Sequence, residues 1–304
     1  MRVTNQQLSM TVLSTLRNSN NKTADLLTKI ASGQRVQRAS DDPIAAVRLL
    51  MLERDTSVLE RFQKNIDTLT VRLQKNEAHM DGMLDTVMSA HDMLLAAADG
   101  SHSAADLNAM AGPLRTMLDN LKQAANAKDG DGNYLFSGTQ TDTPPIAYDP
   151  TAPAGSRYSF AGNHEQQEVV IGHGVTQTAN VTVDHLADVL NKLEVAVDAM
   201  ADPAVDPNDP AVRALLTAGI DSLKNNGINA LSAKISHLGG AQNTLTLMSD
   251  NHAAQLIANG QAASLVGELD QAEAYDQLSN YMVAMKGTYE VYGRMKQMSL
   301  FDVI

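Results

Sequence analysis

The 304-residue sequence predicts a mainly α fold: an elongated antiparallel coiled-coil or helical-bundle rod built from both chain ends, with a small β-rich insertion domain at its tip. Three observations carry this. Apolar residues recur in a four-three rhythm over two long tracts far apart in the chain. Aromatics are only 4% of residues and tryptophan is absent, while Leu, Val, Ala and 15 Met supply the apolar mass, which suits long helices packed side by side. Seven of the nine prolines fall between 144 and 210, between the two tracts.

In chain order, Leu8, Val12, Leu16, Thr23, Leu27 and Ile30 recur at helical spacing, and Gly33 is suited to the left-handed residue that ends such a helix. A start signal follows: Ser40, Asp41 and Asp42 as candidate caps, then Pro43 at a first-turn position where its missing N–H is not needed. Two carboxylates there also meet the positive end of the helix dipole. Phe62, Ile66, Leu69, Leu73, Asn76, Met80, Met83, Val87, Ala90 and Leu94 then form a heptad seam with Asn76 as its polar member. A helix from Ile44 to about Ala98 would be roughly 80 Å long at ~1.5 Å per residue. Asp99-Gly100-Ser101 breaks it. A shorter helix is expected from about Ser103 to Ala127, with Leu107, Leu114, Leu118 and Leu121 facing a core and Pro113 near its start.

The texture then changes. Asp129-Gly130-Asp131-Gly132-Asn133 is a turn cluster, and Tyr134–Phe136, Arg157–Phe160, Glu168–Ile171 and Asn180–Val183 read as strands. Five of the eleven aromatics lie here. Asp184 is the expected cap of the next helix. The second tract, Leu231, Ile235, Leu238, Gln242, Leu245, Ser249, His252 and Leu256, repeats the first rhythm and should pack antiparallel to it. These signals divide the chain into terminal helices (1–45 and 260–304), a helical rod domain (46–128 and 184–259) and a β-rich insertion (129–183). The arms are rich in Asn, Gln, Ser and Thr with little to bury against, so they are expected to be mobile in the isolated monomer.

Composition excludes several classes. There is no cysteine, hence no disulfide framework and no thiolate chemistry. The net charge of −12 disfavours nucleic acid, which needs clustered Lys and Arg. No apolar run reaches membrane-spanning length, and Met1–Gln6 is not a secretory signal. Charge is uneven: Arg2, Arg17, Lys22, Lys29, Arg35 and Arg38 against Asp25 give the first 40 residues +5, whereas residues 265–304 carry −3. The two ends are complementary.

No catalytic, metal or cofactor set emerges. Asp129, Asp131 and Asn133 have the spacing of a calcium loop's first ligands, but Tyr134 and Gln140 stand where that loop needs glycine and an acid, so a turn is expected. His164-Glu165-Gln166-Gln167-Glu168 lacks the second histidine of a zincin, and Gly172-His173-Gly174 is a turn. No phosphate loop, dinucleotide glycine pattern or nucleophile elbow occurs. Asp41 and Asp42 are accounted for by helix capping. On the last helix Tyr275, Tyr281, Tyr289, Tyr292 and Phe301 ride with Leu278, Met282 and Met285, to be buried internally or against a partner.

The corner's wording adds to this. Ser-Gly-Gln-Arg-Val at 32–36, then Ser-Asp-Asp-Pro-Ile-Ala-Ala at 40–46, closely resembles the N-terminal signature of the bacterial flagellin superfamily, and Met298-Ser299-Leu300-Phe301 is similar to that superfamily's C-terminus. The match at the end stops at Phe301. Gly132-Asn133-Tyr134-Leu135-Phe136-Ser137-Gly138-Thr139, with Pro144-Pro145, resembles the hook-associated branch of the superfamily more than filament flagellin. The resemblance implies a structural subunit of the flagellum, not an enzyme, with both termini forming an inner coiled-coil layer. It implies hook-associated protein 1 below, flagellin above, further copies of itself in a ring, and an export chaperone at the C-terminal helices. Export would use the flagellar type III apparatus without a cleaved signal. The candidate subunit-interface residues are Gly33, Arg35, Asp41, Asp42 and Pro43 at the corner, with Tyr289, Tyr292, Leu300 and Phe301 at the other end. The alternatives are a short filament flagellin or, from another class, a secreted adhesin or binding module acting through the β insertion.

Overall fold

A computed structural model describes residues 2–301, with side-chain environments for 7–294. Helix α1 spans Arg2–Ser32, α2 Pro43–Ala97 and α3 Ala104–Ala125. Four short strands follow: β1 Ile146–Tyr148, β2 Tyr158–Phe160, β3 Glu168–Gly172 and β4 Val175–Thr178. Then come α4 Leu186–Met200, α5 Pro210–Ser222, a π-helical segment Leu223–Asn229, α6 Ala230–Gly267 and α7 Gln271–Phe301. The chain forms two compact units, 60–252 and 1–59 with 253–304.

The 60–252 unit is built on the predicted seam. Ile66, Leu69, Leu73, Met80, Met83, Val87, Ala90 and Leu94 are all buried on one face of α2. Leu231, Leu238 and Leu245 of α6 join the same core. The two helices run antiparallel: Gln63 Nε2 donates to Ser249 Oγ (2.6 Å) and Gln242 Nε2 to Glu77 Oε2 (2.6 Å), so partners rise along one helix as they fall along the other. Each buried apolar side chain contributes on the order of 1.5–3 kcal/mol of transfer free energy. Asn76 is fully buried in the seam with neither amide atom hydrogen-bonded.

Gly100, at φ +67°, ends the α2 tract. Ser103 then starts α3 with a capping box: its hydroxyl accepts from Asp106 N, and its own N–H donates to Asp106 Oδ2. Leu107, Leu114, Leu118 and Leu121 are buried as the periodicity requires. Pro113 lies in the helix interior, not near its start, on an exposed position.

The β region consists of two antiparallel hairpins, β1 with β2 (Ile146 opposite Phe160) and β3 with β4 (Glu168 opposite Thr178). Gly174, at φ +69°, makes the β3–β4 turn. Two expected strands are not formed. Tyr134–Phe136 makes a single bridge, Lys128 to Tyr134, because Leu135, Phe136, Ser137 and Gly138 are all buried in succession, whereas a strand would alternate. Asn180–Val183 is irregular because the Asn180 amide takes over the ladder's work, accepting from Gln167 N and donating to Glu165 O (both 2.9 Å). Phe136, Ile146, Tyr158 and Ile171 belong to the same hydrophobic cluster as the helices of this unit.

Asp184 does not cap α4. His185 occupies that position without a side-chain bond, and Asp184 pairs with Lys234 Nζ at 3.3 Å instead. Helix α5, which the sequence left unassigned, begins at Pro210 with the Asp209 carboxylate accepting from Ala211 N at 2.8 Å.

Candidate functional site

The corner lies in the unit formed by 1–59 and 253–304. Gly33, at φ +71°, closes α1, its N–H donating to Lys29 O at 2.8 Å. The chain then pairs with the α6–α7 connection: Arg35 N donates to Gly267 O (2.7 Å) and Leu269 N to Gly33 O (2.9 Å), with Gln34 opposite Glu268 in antiparallel register. Two loops remote in sequence thus satisfy each other's backbone groups, the requirement that irregular chain must meet when it packs.

Arg35 is the centre of this junction. Its guanidinium donates to Asp42 Oδ2 (3.1 Å) through Nη1 and to the Val266 carbonyl (2.9 Å) through Nη2. Asp42 caps α2, Oδ1 accepting from Ala45 N at 3.0 Å ahead of Pro43. Asp41 does something different: its Oδ2 accepts from Gln37 N and Arg38 N, folding the loop itself, and lies 3.6 Å from Lys29 Nζ. Gln37 Nε2 ties the loop back to α1 through Thr28 O and Ser32 Oγ. Both acids are held below the usual carboxylate range. For Asp41 the main cause is the Gln37 N–H, with Arg38 N–H and Lys29 adding to it. For Asp42 it is the Ala45 N–H, then Arg35.

The two terminal helices pair antiparallel, in the sense set by the Gln34–Glu268 bridge, with Leu16 and Leu26 of α1 and Ala274 of α7 buried. Asp270 starts α7, its carboxylate accepting from Glu273 N at 3.1 Å. A groove of about 670 Å³ runs beside the corner, walled by Gly33, Val36, Leu49, Leu52, Ala263 and Gly267 among others.

The structure therefore brings Gly33, Arg35, Asp41, Asp42 and Pro43 into one constellation. Tyr289 and Tyr292 are not part of it. They sit well along α7, Tyr289 exposed and Tyr292 half-buried. The side chains of Leu300 and Phe301 fall outside the described residues.

Sequence reasoning missed the surface around the corner. At the start of α2, Ala45 and Leu59 are buried, whereas Ile44 (77% exposed), Val47, Leu50 and Met51 point out, as does Leu265 (88%) near the end of α6. The signal was present as a second apolar stripe, Ile44-Val47-Met51 at three- and four-residue spacing, offset from the core stripe. Leu8, Met10, Leu13, Met282, Val283 and Tyr289 are likewise exposed. Apolar exposure on this scale marks an association surface better than a catalytic one.

Nothing in the described residues gathers three His, Asp or Glu side chains as a metal site would. Asp129 accepts from Asp131 N and Asn133 N at 2.9 Å, which is turn chemistry. No described helix is long and apolar enough to cross a membrane.

Residues 3–141 match the family model described as the bacterial flagellin N-terminal helical region. Flagellar hook-associated protein 3 of Escherichia coli (strain K12) is 24% identical over 90% of this chain and 90% of its own length. Its namesake from Salmonella typhimurium is 23% identical over 100% of this chain and 99% of its own. A solved structure of a putative flagellar hook-associated protein from Vibrio parahaemolyticus is 28% identical, with a TM-score of 0.66 over 75% of this chain and 99% of that one.

Proposed function

We propose that this chain, a flagellin-like and hook-associated protein by sequence and fold, is the structural subunit joining the hook of a bacterial flagellum to its filament. One observation carries the reading: the likeness to hook-associated protein 3 runs the length of both chains, middle included. A likeness to flagellins in general would need only the helical ends, so a short filament flagellin is the less favoured alternative.

On this reading the terminal helices, 1–45 and 260–304, form the inner layer and are mobile until assembled. The 46–128 and 184–259 segments form the rod, and 129–183 the outward insertion. The Gly33–Pro43 corner ties the end of α1 and the start of α2 to the α6–α7 connection. It does so with hydrogen bonds that need no neighbour, which leaves Ile44, Val47, Met51 and the outer faces of α1 and α7 to meet other subunits. Hook-associated protein 1 lies on one side, flagellin on the other, and further copies of this chain complete a ring. Tyr289, Tyr292, Leu300 and Phe301 are buried against those neighbours. The subunit leaves the cell through the flagellar type III apparatus, with an export chaperone covering the C-terminal helices beforehand, and acts outside the cell without cofactor or catalysis.

Deleting the gene tests this. Cells should carry hooks without filaments and release unpolymerised flagellin into the medium, and the full chain supplied in trans should restore filaments. Filaments of normal length in the deletion strain would refute the junction role.

A further inference from the structure

The chain has no cysteine and no tryptophan but 15 methionines, so the thioethers are its readily oxidised groups. Among the described residues burial sorts them into three groups, with Met93, Met110, Met117, Met248 and Met285 half-buried between the extremes. Met80, Met83 and Met200 are 0% exposed, whereas Met10 (62%), Met51 (61%), Met88 (46%) and Met282 (58%) are open to solvent. Among the described residues, three of the open four belong to the unit made of 1–59 and 253–304. Each lies beside other exposed apolar groups: Met10 next to Leu13 one turn on, Met51 with Ile44 and Val47, and Met282 with Tyr289 around a shallow hollow on α7 that half-buried Met285 also lines. Unbranched, polarisable methionine suits a surface that adapts to more than one neighbour. Oxidation would turn the same property against assembly.

We propose that Met10, Met51 and Met282 form an oxidation-sensitive gate on assembly: a peroxide converts them to sulfoxides in the free subunit and bars its incorporation without unfolding it. The inference rests on the junction reading above. In the step, a sulfur lone pair attacks one peroxide oxygen and the O–O bond breaks. The thioether is oxidised by two electrons to the sulfoxide, and hydrogen peroxide is reduced to water. The new oxygen is a strong acceptor on a side chain that assembly must bury, and a buried acceptor without a donor opposes association. The fold is spared because Met80, Met83 and Met200, the fully buried core thioethers, are out of reach.

The test uses the purified full chain and hydrogen peroxide, with binding to isolated hooks that end in hook-associated protein 1. After brief treatment, peptide mass spectrometry should find Met10, Met51, Met88 and Met282 oxidised at least about tenfold faster than Met80, Met83 and Met200. Helical circular dichroism should be unchanged, and hook binding should drop at least about tenfold. The triple variant Met10→Leu, Met51→Leu, Met282→Leu should keep its binding after peroxide, whereas Met88→Leu should give no protection. Undiminished binding by the oxidised wild type, or equal sensitivity of the triple variant, would overturn the gate while leaving the junction reading intact. Failure of the untreated wild type to bind hooks at all would overturn both.

Discussion

His185 is half-buried, with both ring nitrogens closed to solvent and neither hydrogen-bonded, 3.8 Å from Asp184 and close to Lys234. Burial first, and the Lys234 charge second, push its pKa down to about 4, so the ring is neutral at pH 7 and makes no ion pair with Asp184. In the unfolded chain it titrates near 6.5. Between these values the unfolded state binds the extra proton, so stability falls as pH drops from about 6.5 to about 4, by on the order of 3 kcal/mol. Denaturant titrations at pH 7 and pH 4.5 should show this loss in the wild type and a smaller one in His185→Phe; an equal loss in both would place the acid sensitivity elsewhere. Asp41 and Asp42, with depressed pKa values, add stability that is present above the carboxylate range and fades only below it. Asn76 offers a second residue-scale test. Its orphaned amide, fully buried in the seam, opposes folding by about 1–3 kcal/mol. Asn76→Val should therefore raise the melting temperature, at some loss of the register that a single polar seam residue imposes. A lower melting temperature would mean the amide is satisfied in solution.

At the scale of elements, the π segment explains how α5 and α6 keep one face on α2. Leu223, Gly227, Leu231 and Ile235 are spaced by four, and each step overshoots a 3.6-residue turn by about 40°. The wider Leu223–Asn229 turn absorbs that drift. Asp188 pins it from α4, accepting from Ser222 Oγ (2.8 Å) and Asn226 Nδ2 (2.9 Å). Gly227 is needed here: a Cβ would stand 2.5 Å from Val87 Cγ1. Gly227→Ala should destabilise by about 1–3 kcal/mol, and Val87→Ala in the same chain should recover part of it, as unfolding of the four chains of that cycle would show. Additive losses would contradict the contact. The long helices were legible in the sequence because Ile66 through Leu94 repeat a single rhythm for eight turns, and the corner because Gly33, Asp42 and Pro43 each carry a local backbone meaning. The hairpins were half legible. Glu168–Ile171 carries the β-branched run a strand favours, whereas Tyr134–Phe136 has strand composition but fills a core pocket that only the tertiary fold creates. The bond from Arg35 to Val266 O spans 231 residues, a partnership no local pattern encodes.

Across the whole molecule, charge is segregated between the two units. Residues 60–252 hold twelve Lys and Arg against twenty-four Asp and Glu, a difference of −12 that equals the net charge of the entire chain. The terminal unit, with eleven of each, is neutral. In the ring proposed above, the net repulsion between neighbouring copies would come from their 60–252 units, and salt screens that repulsion, with a Debye length near 8 Å at ~0.15 M. Hook binding should strengthen as sodium chloride rises from about 0.02 M to about 0.2 M; weakening over that range would mean that complementary charges at the two chain ends dominate instead. The central claim is that this subunit occupies a single joint and not the filament. Immunogold electron microscopy of intact flagella, with antibodies raised against residues 60–252, tests it most directly. One band of label where the hook meets the filament is the result this account predicts, and label distributed along the filament would contradict it.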